Sequence, residues 1–343
     1  MSRDPRLLAD YFSRSLTSFT SSGEQFRVLC TLLPRNGNGA AQDEDDYIPK
    51  VLQPQQSVQD VIVLDSSFNP PTTAHAAMAR SAAAAAASAA AASQHIHQTS
   101  RTRILLLLAV ENADKAPRPA SFPLRLCMME GFGRELLASV RTDAPSTGLE
   151  AVDVGVTSRP FFHQKALAIA ASGFYRGGTT SASPSWSPGP GPSRGGTEGE
   201  SGCEMTFLAG YDTLVRIFNP RYYAGTGGMR AALDPFFRSA RLRVTMRTDG
   251  EWGGREEQSM YLGRLGRSSS PSPSSVAGEA DGADGGETDG IEEDWVRRVE
   301  MVDGIGGSVS SSRVRQAVEV QGDVDGLVDG EVRMWIEREG LYR

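Results

Sequence analysis

Between Val63 and His75 the chain reads VLDSSFNPPTTAH: an apolar run, then two serines, an asparagine, two prolines, two threonines and one histidine. A strand ending at Asp65 that feeds a turn, and then a helix from about Thr72, sends the free amides of the turn and of the helix start outward together. Such amides bind anions. Pro70 and Pro71 stiffen the approach and bring no competing donors. His75 lies one turn into the helix and faces the same mouth, where an imidazole can meet phosphate oxygens. A capped helix with an incidental histidine fits the same letters.

A second stretch, VSSSRVR, runs from Val309 to Arg315. Ser310, Ser311 and Ser312 are helix-capping residues in type, and a helix begun there presents amides and hydroxyls. Arg315, one turn further, can fork onto a phosphate chain. A serine-capped surface helix with solvated arginines would look alike, but two anion-receptive helix starts in one chain carry more than either alone. There is no Gly-Lys-Ser/Thr phosphate loop, and GIGGS at 304–308 lacks dinucleotide-fold spacing, which argues against kinase-like and NAD-dehydrogenase readings.

The elements that must position these residues follow from periodicity. Leu7, Leu8, Tyr11, Phe12, Leu16 and Phe19 form a stripe that predicts an amphipathic helix over 5–20. A polar loop at 36–46 leads to the first expected strand, 61–65, and the alanine-rich 76–92 is helical by propensity. Strands are expected at 103–110, 151–156, 204–210 and 241–247, alternating with helices at 121–139, at 161–171 and from 211; a last helix falls near 331–339. That alternation implies right-handed crossovers and a parallel sheet covered on both faces, an α/β, doubly wound fold. Its ligands bind outside the carboxyl ends of the strands. The tracts 177–202 and 248–290, rich in Gly, Ser, Pro and acids, are expected to be disordered insertions. The reading is therefore an N-terminal helix and loop over 1–60, and one domain over 61–343 interrupted twice.

Composition narrows the partners. Of 343 residues with a net charge of −7, positions 249–294 hold twelve acids against three arginines, so the remainder carries a slight positive excess. No basic field suits nucleic acid, and the excess fits a small anionic substrate. Cys30, Cys127 and Cys203 show neither paired nor metal-ligand spacing, which suggests a reducing compartment. The apolar run 104–110 is too short to span a membrane. Arg3, Arg6 and Arg14 alternate with Asp4 and Asp10 and precede no long apolar stretch, so no secretory signal is expected. A cytoplasmic or nuclear location follows, with a mitochondrial leader as the weaker alternative. His95 and His97 give two ligands without a third, which is not a metal site.

SSFNPPTTAH is similar to a family pattern of Gly-Ser-Phe-Asn-Pro followed by a His-x-Gly-His variant, and VSSSRVR to that family's Ile-Ser-Ser-Thr-x-x-Arg element. Between them GYDTLVRIFNPRYY, 210–223, resembles its Gly-x-Asp segment, and VENADKAPRP, 110–119, its Lys-bearing loop. The family is the nicotinamide mononucleotide (NMN) adenylyltransferases of the nucleotidyltransferase superfamily, nearest the fungal branch. The resemblance spans about 61–343 without the two insertions. It implies a Rossmann-like fold and transfer of an adenylyl group from ATP, with Mg²⁺, to the 5′-phosphate of NMN, giving NAD and pyrophosphate. By resemblance His75 contacts the ATP phosphates, Thr72 falls where many members have a first histidine, and Ser66, Ser67 and Phe68 form the turn that meets phosphate. Arg315, with Ser310, Ser311 and Ser312, would hold the β- and γ-phosphates, and Lys115 falls near the family's basic residue. Gly210 and Asp212 would orient nucleotide or substrate, while Tyr223 and either Phe161 or Phe162 would stack on the nicotinamide ring. Ser66, Ala74 and Ser312 depart from the family's Gly, Gly and Thr, and Ser66 takes a positive φ less cheaply than Gly. A sister enzyme using CTP or another phosphorylated acceptor, and a nucleotide-binding regulatory protein with slow ATP hydrolysis, stay open.

Overall fold

The computed structural model describes residues 4–34, 48–92, 101–111, 120–143, 148–177, 203–225, 227–247, 252–267, 291–304 and 309–343. Its seven strands are β1 (Phe26–Leu32), β2 (Asp60–Asp65), β3 (Thr102–Ala109), β4 (Leu149–Thr157), β5 (Glu204–Gly210), β6 (Ala240–Thr245) and β7 (Val299–Val302). They form one sheet in the order β1-β4-β3-β2-β5-β6-β7. Every pair from β4 to β7 is parallel, as in a doubly wound fold.

The helices are α1 (Pro5–Ser22), α2 (Thr73–Ala92), α3 (Phe122–Asp143), α4 (Phe162–Ser172), α5 (Tyr211–Ile217), α6 (Met229–Ser239), α7 (Arg255–Arg267), α8 (Glu293–Val296), α9 (Ser311–Glu319) and α10 (Gly330–Glu339). Alternate residues of each strand face opposite ways, so each strand feeds two cores. Ile62, Leu64, Ile104, Leu106 and Leu108 pack with α1, α2, α3, α9 and α10. Val61, Val63, Leu105 and Leu107 pack with α4 through α8. Coverage on both faces is why Ile104–Leu108 reads as an unbroken apolar run with no exposed position.

Two expectations are corrected. The sheet is not wholly parallel, because β1 precedes the strand expected first and pairs antiparallel with β4, from Phe26 opposite Thr157 to Leu32 opposite Val152. Nor is the whole of 248–290 an unstructured insertion, since residues 255–267 are α7 and Leu262 and Gln258 on it are buried. Its one apolar face finds a place against the second core. Nearly all of 177–202, the rest of 248–290, the polar loop at 36–46, Lys115, His95 and His97 lie outside the described residues.

The chain winds from β2 outward through β3 and β4, then from β5 outward through β6 and β7. The direction reverses between β2 and β5. Their carboxyl ends, Asp65 and Gly210, therefore border the crevice where such folds bind ligands.

Candidate functional site

β2 delivers the turn 66–72, and α2 begins at Thr73. Phe68 is fully buried and holds a left-handed backbone, φ 43°, with its ring 5.5 Å from that of His75 and 6.4 Å from that of Phe132. The left-handed residue of the turn is thus Phe68; Ser66 carries no positive φ. The cost expected at Ser66 falls instead on a residue whose ring is anchored in the core.

His75 is held at both ring nitrogens. The Thr72 backbone N–H donates to Nδ1 at 3.0 Å, and the Thr72 hydroxyl lies 2.8 Å from the same atom. An amide can only donate, so Nδ1 is unprotonated and a neutral ring carries its proton on Nε2. Nε2 stands 3.0 Å from the Ser66 hydroxyl and is the donor there. Burial pushes the imidazole pKa down to about 4, so the ring is neutral at physiological pH. It acts as a hydrogen-bond donor without net charge.

This has a stability consequence with a defined sign. An unfolded histidine titrates near 6.5, so between that pH and about 4 the unfolded chain takes up a proton that folded His75 refuses. Stability from this group is full above 6.5 and is lost as the pH falls toward 4. Between pH 7 and pH 5 the melting temperature of the wild type is expected to drop further than that of His75→Gln. An equal drop in both would contradict the neutral ring.

The second motif closes on the first. Ser310 caps α9 by accepting from the Arg313 N–H at 3.2 Å. The Ser311 hydroxyl donates to the Pro70 carbonyl at 2.8 Å, and Arg315 donates from Nη1 to the Asn69 carbonyl at 2.7 Å and from Nη2 to the Ser312 hydroxyl at 3.0 Å. A guanidinium has five N–H donors, and these bonds use two. The C-terminal segment grips the same turn, with Tyr342 Oη donating to Asn69 Oδ1 at 2.9 Å and the Thr73 N–H to the Leu327 carbonyl at 3.0 Å. Asn69 Oδ1 also accepts from the Ala120 N–H at 2.8 Å.

Three residues of this assembly escaped the sequence reading. Asn69 sat inside the quoted motif and is the joint that Arg315, Tyr342 and Ala120 share. Arg125, on α3, is buried, donates to the Ala120 carbonyl at 2.8 Å and covers the Phe122 ring. Burial, and then the nearby Arg315 charge, lower its pKa against the opposing pull of Tyr342. Lys165, on α4, is buried with Nζ 2.5 Å from Asp65 Oδ2, which ties α4 to the tip of β2. Pairings that span 58 residues, from Arg125 to the Ser67 carbonyl, or 100, from Lys165 to Asp65, leave no local trace in sequence.

Across the crevice, Gly210 ends β5 and Asp212 lies in the first turn of α5. Asp212 Oδ1 accepts from Arg247 Nε at 3.2 Å and Nη2 at 3.0 Å. A Cβ at Gly210 would stand 2.7 Å from that oxygen, so a side chain there would dislodge the carboxylate. The aromatic candidates separate. Tyr223 is buried with its hydroxyl donating to the Ile217 carbonyl at 2.6 Å, and Phe162 packs on Phe207 in the core, 5.5 Å between centroids. Phe161 is half-buried before α4, stacked on His163 at 5.8 Å and 6.4 Å from Tyr222. The phosphate candidates are thus brought together on the α2 and α9 face of the sheet, and Asp212 stands on the other. Among the described residues no group of three or more His, Cys, Asp or Glu could hold a metal ion.

No family model matches the chain. The chain is 27% identical over 267 residues, 77% of each chain, to a Schizosaccharomyces pombe protein named "Putative nicotinamide mononucleotide adenylyltransferase". Among solved structures it is similar to Plasmodium falciparum nicotinic acid mononucleotide adenylyltransferase complexed with APC and with NaAD, at 10% and 9% identity. Each match covers 83% of this chain and 97% of that one, with a TM-score of 0.39. The kinship implied by the two end motifs is borne out by the fungal relative, which matches at the level of sequence.

Proposed function

We infer that this chain, a nucleotidyltransferase by its motifs and its fungal relative, transfers the adenylyl group of MgATP to the 5′-phosphate of nicotinamide mononucleotide. One observation carries the reading: the two anion-receptive helix starts are locked onto one turn at the crevice, through Arg315 to Asn69 and Ser311 to Pro70. A phosphate chain laid over that turn would take the His75 Nε2–H in place of the Ser66 hydroxyl, and meet the three unused donors of Arg315 and the amides of the α9 start.

In the step itself an acceptor phosphate oxygen bonds to the α-phosphorus as the bond from that phosphorus to the bridging oxygen of pyrophosphate breaks. The acceptor is already ionised at neutral pH, so no proton must be removed. What the protein supplies is alignment, and donors aimed where negative charge grows. His75 suits that work, because a neutral donor held at Nδ1 by Thr72 cannot turn away. Mg²⁺ would come as part of the ATP substrate and offset the charge of its phosphates; Asp65, the acid nearest the turn, is already paired with Lys165.

Asp212 would serve the sugar of a nucleotide. A carboxylate repels phosphate but accepts from sugar hydroxyls, and Oδ1 is occupied by Arg247, leaving Oδ2 to bind. Gly210→Ala should then raise the KM of one of the two nucleotides about tenfold while the other holds, since the added methyl displaces the carboxylate. KM values for ATP and acceptor that both match wild type would remove Asp212 from the site.

A serine in place of glycine at Ser66 and the two long insertions are what would favour a regulatory protein without turnover, and the first of these weakens because the positive φ lies at Phe68. A panel of ATP and CTP against nicotinamide mononucleotide, nicotinate mononucleotide and phosphopantetheine tests the assignment. ATP with a pyridine mononucleotide is expected to give dinucleotide and pyrophosphate; product only with CTP or only with phosphopantetheine would replace it with a sister activity.

A further inference from the structure

Residues 252–262 belong to a stretch whose composition reads as a spacer, yet they are built into the site. Gln258 on α7 is wholly buried and makes three hydrogen bonds. Its Oε1 accepts from the Arg247 N–H at 2.9 Å, while its Nε2 donates to the Arg247 carbonyl at 2.9 Å and to the Gly253 carbonyl at 3.0 Å. A primary amide carries one acceptor and two donors in the spacing of a peptide group, so Gln258 pairs with Arg247 as a neighbouring strand would. β6 has ended at Thr245, and the last sheet-like bond there runs from the Met246 N–H to Val302. The glutamine thus extends order to the residue whose guanidinium forks onto Asp212.

The same segment reaches the other side of Asp212. Tyr211, its chain neighbour, is met edge-on by Trp252 at 6.2 Å and by Tyr261 at 5.6 Å. The turn between these contacts is itself ordered by Gly253 in a left-handed conformation, φ 79°, and by Glu257 accepting from the Gly254 N–H at 2.8 Å. Two independent contacts of one short segment therefore bracket a single carboxylate.

We propose that residues 252–262 are a clamp that positions Asp212 for the sugar hydroxyls of one of the two nucleotides, with Gln258 acting through Arg247 and Trp252 through Tyr211. Gln258 touches no substrate; it is a positioning residue, and the clamp rests on the adenylyl-transfer reading of the crevice. A glutamine that merely fills space would affect stability alone. One that aims Asp212 would affect one substrate and not the other.

The test is a set of full-length variants assayed for both KM values and for melting temperature. Gln258→Met, which keeps the volume and loses all three bonds, is expected to raise the KM of one nucleotide about tenfold, the same one that Gly210→Ala raises, and to leave the other within about twofold. In an Arg247→Met background the same change should add nothing, because its route to Asp212 is already cut. Trp252→Leu should show the same KM split and serves if Gln258→Met does not fold. Two unchanged KM values, a parallel rise in both, or additive effects in the Arg247→Met background would overturn the clamp while leaving adenylyl transfer intact. Absence of dinucleotide from the wild type with every acceptor would overturn the reading of the site and the clamp with it.

Discussion

His75→Ala is expected to lose on the order of 100- to 1000-fold in kcat with much less change in ATP affinity, the usual consequence of removing one preorganised donor to transition-state charge. The geometry gives the reason. Thr72 fixes Nδ1 as an acceptor, Phe68 lies against the ring, and Nε2 carries the proton beside Ser66. The ring is therefore set before any ligand binds. His75→Asn, which keeps a donor near the same place, should retain part of the activity. Thr72→Ala should cost less than His75→Ala, since the backbone N–H remains to hold the ring. A neutral histidine also implies a kcat that is insensitive to this group from pH 8 down to about 5. Near-wild-type turnover by His75→Ala would reduce the motif to a structural cap.

Arg315→Ala is expected to weaken ATP and pyrophosphate binding roughly 10- to 100-fold, the equivalent of a lost charge-assisted contact worth about 1.5 to 3 kcal/mol. Part of that effect is indirect. The guanidinium also holds the Asn69 carbonyl and Ser312, so its loss frees the turn from the start of α9. Arg315→Lys can restore the charge and a bond to Asn69 but cannot span Asn69, Ser312 and a phosphate together, so it should recover only part. Dissociation constants for ATP and pyrophosphate by calorimetry decide the matter. Lysine matching arginine would mean that the fork is unimportant.

Local pattern carried the positions of β2, β5 and the two motifs, because a parallel strand buried on both faces is an apolar run and a capped helix start has its own residue types. The same burial hid β1. Phe26–Leu32 is covered on both sides apart from Arg27, so it lacks the alternation of an edge strand and sits unannounced between a helix and a polar loop. α7 was masked by its surroundings, where glycine and acid outweigh the few residues, Gln258, Tyr261 and Leu262, that dock it. Aromatic type could not separate packing from stacking, and the core took Phe162 and Tyr223. Backbone strain was expected where glycine was replaced, yet it sits at Phe68, since a ring buried against His75 and Phe132 fixes the turn from inside.

Adenylyl transfer is tested most directly by following the phosphorus atoms of ATP. Purified protein is incubated with Mg²⁺, nicotinamide mononucleotide and ATP labelled at either the α- or the γ-phosphorus. The expected result is α-label in the dinucleotide, γ-label in pyrophosphate, and a requirement for the mononucleotide. Release of γ-label as inorganic phosphate, with no α-label in any dinucleotide whether or not the acceptor is present, would contradict it.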